Sequence, residues 1–84
     1  MIWEDAGILK ASPSRLKILE LLADRSMTPK EIAQQSKLHL SQVSRGLKEM
    51  EKRNMVECVT PHLKRGRIYA ATEKGREALK IVKK

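Results

Sequence analysis

Along residues 40–52 apolar side chains return every three or four positions: Leu40, Val43, Leu47 and Met50. That spacing predicts a helix with one buried stripe. The other side carries Ser41, Gln42, Ser44, Arg45, Lys48 and Lys52, short hydrogen-bonding groups and then cations, where an ordinary solvated face would mix acids with bases. Upstream, Leu16, Ile18, Leu19, Leu21 and Leu22 leave almost no polar side. A helix that apolar needs cover on more than one face, from the segment before it or from a second subunit. Ser12 and Pro13 stand where its N-cap and first helical residue belong. Residues 2–10 place Ile2, Ala6 and Leu9 at helical spacing, with Gly7 as the weak point. Between these helices, "TPKEIAQQS" pairs Thr28 with Glu31 as a capping box around Pro29, which predicts a short helix ending near Ser36.

Beyond residue 53 the period changes. Asn54 is the expected left-handed cap that closes the helix, a place where glycine is commoner. "MVECVTP" alternates as a strand, "HLKRG" supplies turn residues and "RIYAAT" reads as the returning strand. Gly66 is expected at positive φ in that loop. Thr72 then caps a last helix that turns Ala78, Leu79 and Val82 inward. Four helices, a hairpin and a helix make a fold that is mainly α with a small β-hairpin. Two helices joined by a short turn and followed by a basic hairpin suggest a winged helix-turn-helix. With no repeat, linker or low-complexity tract, residues 1–84 read as a single domain, with 1–10 an N-terminal helical extension and 72–84 a C-terminal helix.

Charge narrows the function. The chain carries a formal +8, which points to a polyanionic partner and above all to nucleic acid. Between Lys37 and Arg67 there are eight Lys and Arg against three Glu, so most of the surplus lies in the helix-turn-helix and hairpin region. Trp3 and Tyr69 are the aromatic residues, too few to stack RNA bases, so duplex DNA is the expected partner. Two histidines, one cysteine, no glycine-rich phosphate loop and no paired carboxylates argue against an enzyme. His39, Cys58 and His62 are scattered, so no metal or cofactor is expected, and Cys58 reads as a small half-buried thiol. A single cysteine permits no internal disulfide. No apolar run approaches a membrane span, which leads to the expectation of a cytoplasmic protein without a membrane partner.

The stretches "SPSRLKILELL", "LSQVSRGLKEMEKRNMV" and "YAATEKGREAL" resemble winged helix-turn-helix transcription regulators of the arsenical-resistance-repressor and multiple-antibiotic-resistance-repressor type. The resemblance covers residues 12–80 and is most specific at Val43, Ser44, Arg45, Leu47, Lys48 and Met50. It implies a DNA-binding fold, usually a homodimer, with the helix at residues 40–53 in the major groove. It also implies a wing, residues 60–67, on the adjacent backbone or minor groove. By position, Ser41, Gln42, Ser44 and Arg45 would face base edges and phosphates, and Lys48 would reach the backbone. Asn54 stands where glycine is usual, and Gly46 where many relatives have histidine, which is expected to remove a contact from the recognition helix.

The residue chemistry agrees. Glutamine pairs bidentately with adenine and arginine with guanine, each worth about 1–3 kcal/mol of discrimination. Ser41 and Ser44 are short enough for close approach; plain capping is the lesser reading of Ser41. Lys64, Arg65 and Arg67 surround the wing tip, and arginine suits the strong negative potential of a narrow minor groove. Lys52 and Arg53 lie where a helix dipole favours cations, and Arg15 reads equally as a structural residue or a phosphate ligand. The function expected is a sequence-specific double-stranded DNA-binding transcription regulator. It would dimerise through the apolar helix at 15–23, the Trp3 segment and Ile81 with Val82. The alternative is a protein-docking module, which would tend to replace the basic face with apolar or acidic residues.

Overall fold

Ser12 and Pro13 divide the first part of the chain into α1 (Ile2–Ala11) and α2 (Pro13–Asp24). The structure is a computed structural model and describes residues 2–83, without the side chains of Ile2 and Asp5, so the inward placement expected of Ile2 lies outside the described residues. Ser12 has extended N-cap geometry, but its hydroxyl meets Ser14 Oγ at 3.3 Å instead of a backbone N–H. Pro13 eases the start of α2 because it has no N–H to satisfy. The capping box of α3 (Pro29–Ser36) forms as expected: Glu31 N donates to Thr28 Oγ1 (3.2 Å), and Thr28 N donates to Glu31 Oε1 (3.0 Å).

After α4 (Leu40–Lys52) come β1 (Val56–Cys58), β2 (Tyr69–Ala71) and α5 (Glu73–Lys83). Asn54 (φ 62°) and Gly66 (φ 65°) take the left-handed conformations expected of them. The strands pair antiparallel, with Val56 opposite Ala71 and Cys58 opposite Tyr69. They are shorter than the alternating pattern implied. Past Val59, the hydroxyl of Thr60 accepts from Ile68 N (2.9 Å), taking the place of a ladder carbonyl, and Pro61 has no N–H to offer. Met27, just before α3, adds a further rung through two backbone bonds with Tyr69 (3.0 and 2.8 Å). That rung ties the wing to the helices.

The core is aliphatic: Leu9, Ile18, Leu19, Leu22, Ile32, Val43, Met50, Met55 and Val56 are fully buried. α2 lies at its centre against α1, α3, α4, α5 and β2, and α1 packs mainly along α5. The apolar helix therefore finds its cover within the chain, with Leu16 and Leu21 half-buried at its margin. Thr72 caps α5 by accepting from Gly75 N (3.1 Å), while its hydroxyl donates to Asn54 O and its N–H to Met55 O. Gly75 fits there because a Cβ would stand 2.1 Å from Met55 O. No described helix is long and apolar enough to cross a membrane.

Candidate nucleic-acid interface

Three residues turn the chain from α3 into α4. Ser36 is buried and its hydroxyl accepts from Leu38 N (3.3 Å); Lys37 adopts a left-handed conformation (φ 61°). His39 is the N-cap of α4, and its N–H donates to Gln42 Oε1 (3.2 Å). The cap thus falls two residues before Ser41, which sits exposed in the first helical turn, so the capping reading of Ser41 is corrected.

Two further expectations about α4 change. Leu40 was placed on the buried stripe with Val43, Leu47 and Met50; those three are buried, but Leu40 is 52 % exposed. It projects from the first position of the helix, beyond the edge of the core. Gly46 is buried against α2, where a Cβ would lie 2.9 Å from Ile18 Cδ1. It therefore belongs to the packing face, and a side chain at this position would have to displace the end of Ile18 and would not extend the outer face.

The open side of α4 is arranged simply. At about 100° per residue, Ser41, Ser44, Arg45, Lys48 and Lys52 share an arc of roughly 100°, and all five are exposed. Glu49 and Glu51 border that arc on either side, Glu49 paired with Arg15 of α2 and Glu51 exposed, and neither lies within it. Arg15 takes the structural role; its Nε is the one buried side-chain polar atom, among the described residues, without a hydrogen-bond partner. Lys52 ends the helix, and Lys74 Nζ donates to Arg53 O (2.9 Å) just past it, so cations gather at the negative end of the dipole.

Each flank of α4 meets another element. On one, Gln42 and Arg45 share a cleft of about 130 Å³ with Ser12, Ser14 and Arg15 at the start of α2. On the other, Leu40 and wing residues 64–67 line an open groove of about 530 Å³ with Pro29, Lys30 and Tyr69. Lys64, Arg65 and Arg67 are all exposed, but Arg67 Nε donates to Leu63 O (2.6 Å) and so also braces the loop. The fold brings Leu40, the first residue of α4, and the wing cations to one groove; Gln42 and Arg45 face the other cleft. Lys30, Ser12 and Ser14 had not been singled out as neighbours of the site. Their place at helix starts, where backbone N–H groups point outward, was the available signal.

Elsewhere, Cys58 is half-buried, and no three His, Cys, Asp or Glu side chains gather as metal ligands among the described residues. Among the described residues Glu31 is the one group with a clear titration shift: the Thr28 backbone N–H, then its hydroxyl, and lastly Arg25 hold the carboxyl below its ordinary value.

A family model described as helix-turn-helix domain matches residues 11–59. The chain belongs to the helix-turn-helix domain family. Its two motif helices are α3 and α4, joined by residues 37–39, and the matched span runs from the start of α2 through β1. Among solved structures, a MarR family transcription regulator superposes with a TM-score of 0.80 at 19% identity, covering 98% of this chain and 56% of that one. A mutant of Lactococcus lactis ZitR gives 0.69 at 25% identity, over 86% of this chain and 48% of that one. A homodimeric winged helix-turn-helix DNA-binding domain from Mycobacterium bovis, a candidate ArsR-family regulator, gives 0.70 at 23% identity, over 98% of this chain and 72% of that one. The helix-turn-helix chain spans about half the length of the first two. No curated protein sequence matches it. The winged helix-turn-helix architecture of MarR- and ArsR-type regulators, expected from the sequence, is the architecture of this chain.

Proposed function

We propose that residues 1–84 act as one DNA-binding domain of a cytoplasmic, sequence-specific transcription regulator. α4 enters the major groove, and the wing at 60–67 follows the adjacent backbone or minor groove. The observation that carries this reading is the acid-free arc of Ser41, Ser44, Arg45, Lys48 and Lys52, beside a wing bearing Lys64, Arg65 and Arg67. A protein-docking face would tend to carry apolar or acidic residues in that arc.

In this reading Arg45 and Gln42 select bases. Gln42 already spends one lone pair of Oε1 on His39 N, and its second lone pair and its amide N–H groups remain for an adenine. Ser41 and Ser44 contact base edges or phosphates at short range. Lys48, Lys64, Arg65 and Arg67 neutralise phosphates and release counterions. A homodimer would place two copies of α4 about 34 Å apart on one face of the duplex.

Selection from a random duplex pool at several salt concentrations tests this. The expected result is a two-fold site whose affinity falls by roughly 0.9 log unit per tenfold rise in salt for each neutralised phosphate. Arg45→Ala and Gln42→Ala abolish enrichment at particular bases, whereas Lys64→Ala weakens all sequences alike and lowers the salt slope by about one. No binding to any duplex would overturn the reading in favour of a docking module.

A further inference from the structure

Leu40 is the side chain of the motif whose surroundings run against its chemistry. Its azimuth on the helical wheel nearly matches that of Leu47, yet Leu47 is 2 % exposed and Leu40 52 %. The difference lies along the axis. Leu40 stands seven residues, about 10 Å, nearer the helix start, where nothing of the core extends to cover it. It caps nothing, since the N-cap is His39.

A single exposed leucine is ordinary on a protein surface. Three features set this one apart. It occupies the leading end of the helix, and in helix-turn-helix docking the N-terminal residues of the second helix reach base edges. Ser44, its neighbour one turn on, is short and leaves the leucine unobstructed on that side. The groove it lines has Pro29 and Tyr69 as further apolar surface and is edged by Lys30, Lys64, Arg65 and Arg67. Such an edge favours phosphate backbones, while the leucine itself favours an apolar group between them. The major groove of a duplex displays one apolar group, the thymine C5-methyl.

We propose that Leu40 is a specificity-determining residue that reads thymine by packing on its C5-methyl group. This rests on the DNA-binding reading above and adds a base contact on the flank of α4 opposite Gln42. No charge is involved, so the contact contributes sequence preference without salt dependence.

The test replaces each thymine of the selected site, one at a time, with deoxyuridine, which keeps every hydrogen-bonding group and removes only the methyl. Burying a methyl-sized group is worth about 0.8 kcal/mol, so one thymine per half-site should show about fourfold weaker binding to the wild-type protein. Leu40→Ala should bind the thymine and deoxyuridine sites equally, and Leu40→Met, which keeps an apolar reach, should retain the discrimination. The salt slope of Leu40→Ala should equal that of the wild type. As the side chain is half in water, the alanine variant should melt close to the wild-type temperature. If every thymine tolerates the exchange, or if Leu40→Ala remains as sensitive to it as the wild type, the contact is overturned while sequence-specific DNA binding stands. If the wild-type protein enriches no sequence, the DNA-reading function falls first and the Leu40 proposal falls with it.

Discussion

Replacing Gly75 by alanine should destabilise the fold strongly, although alanine is the better helix former. Gly75 lies in the first turn of α5, where a Cβ would stand 2.1 Å from Met55 O and 3.0 Å from Met55 C. A carbon normally approaches a carbonyl oxygen no closer than about 3.3 Å, so α5 and the chain before β1 must part by roughly 1 Å. The same Met55 carbonyl accepts from Thr72 N (3.0 Å), and Met55 and Val56 are among the fully buried side chains. Overpacking of this kind costs about 1–3 kcal/mol, and a buried carbonyl left without its donor costs about 1–3 kcal/mol more. Against this, alanine gains only about 1 kcal/mol of helix propensity over glycine. The net loss should be roughly 1–5 kcal/mol, which for a domain of this size lowers the melting temperature by about 5–30 °C.

Gly7 supplies the matched control, because a Cβ there meets nothing within 4 Å. Gly7→Ala should raise stability by up to about 1 kcal/mol through propensity alone. Thermal melts followed by far-ultraviolet circular dichroism, at one protein concentration because a dimer would make the midpoint depend on it, compare all three proteins. A Gly75→Ala variant that melts at or above the wild-type temperature would refute the steric argument.

The remaining predictions concern one cap, one ion pair and one exposed aromatic. Thr28→Ala should cost about 1 kcal/mol by removing a hydroxyl that caps α3. Because Thr28 lowers the Glu31 pKa in the folded state, this carboxylate's stabilising contribution is present above its ordinary pKa and is lost as pH falls through the folded value. Glu31→Gln, which keeps an acceptor oxygen, should therefore show a shallower loss of melting temperature on acidification than the wild type. Arg15→Ala should change stability by no more than about 1 kcal/mol, since the pair is part-exposed, yet weaken binding to every duplex by freeing Glu49 beside the cations; adding Glu49→Gln should restore much of it in a binding titration. Trp3 is 72 % exposed on α1, and if a second copy covers it, Trp3→Glu should convert a sedimenting dimer to a monomer with unchanged circular dichroism.

Most of the fold was legible because its signals are local. Thr28, Pro29 and Glu31 announce α3 within four residues, and Asn54 and Gly66 are of types that tolerate positive φ. What stayed hidden depends on residues distant in the chain. The close approaches at Gly46 and Gly75 exist only because Ile18 and Met55 arrive opposite them. The rung between Met27 and Tyr69 joins a connector to the wing with no pattern in either segment to predict it. The wing strands looked longer than they are because alternation cannot show that the Thr60 hydroxyl replaces a ladder acceptor.

At the site, periodicity told which α4 residues share a face but not how far along the helix that face is covered. Val43, Leu47 and Met50 lie over α2 and its neighbours, while Leu40, on the same side, runs past them into the groove of the wing. The charges pose the complementary problem. Periodicity already sets Arg45, Lys48 and Lys52 on a face apart from Glu49 and Glu51, which fall at the two edges of the arc. What it cannot show is that the packing of α2 on α4 brings Arg15 to Glu49. On the DNA-binding reading, an unpaired carboxylate at the edge of that arc would repel the phosphates its cations attract, so pairing Glu49 matters beyond its modest contribution to stability. The face proposed to meet DNA is thus bordered from beneath by an ion pair whose arginine belongs to the supporting helix.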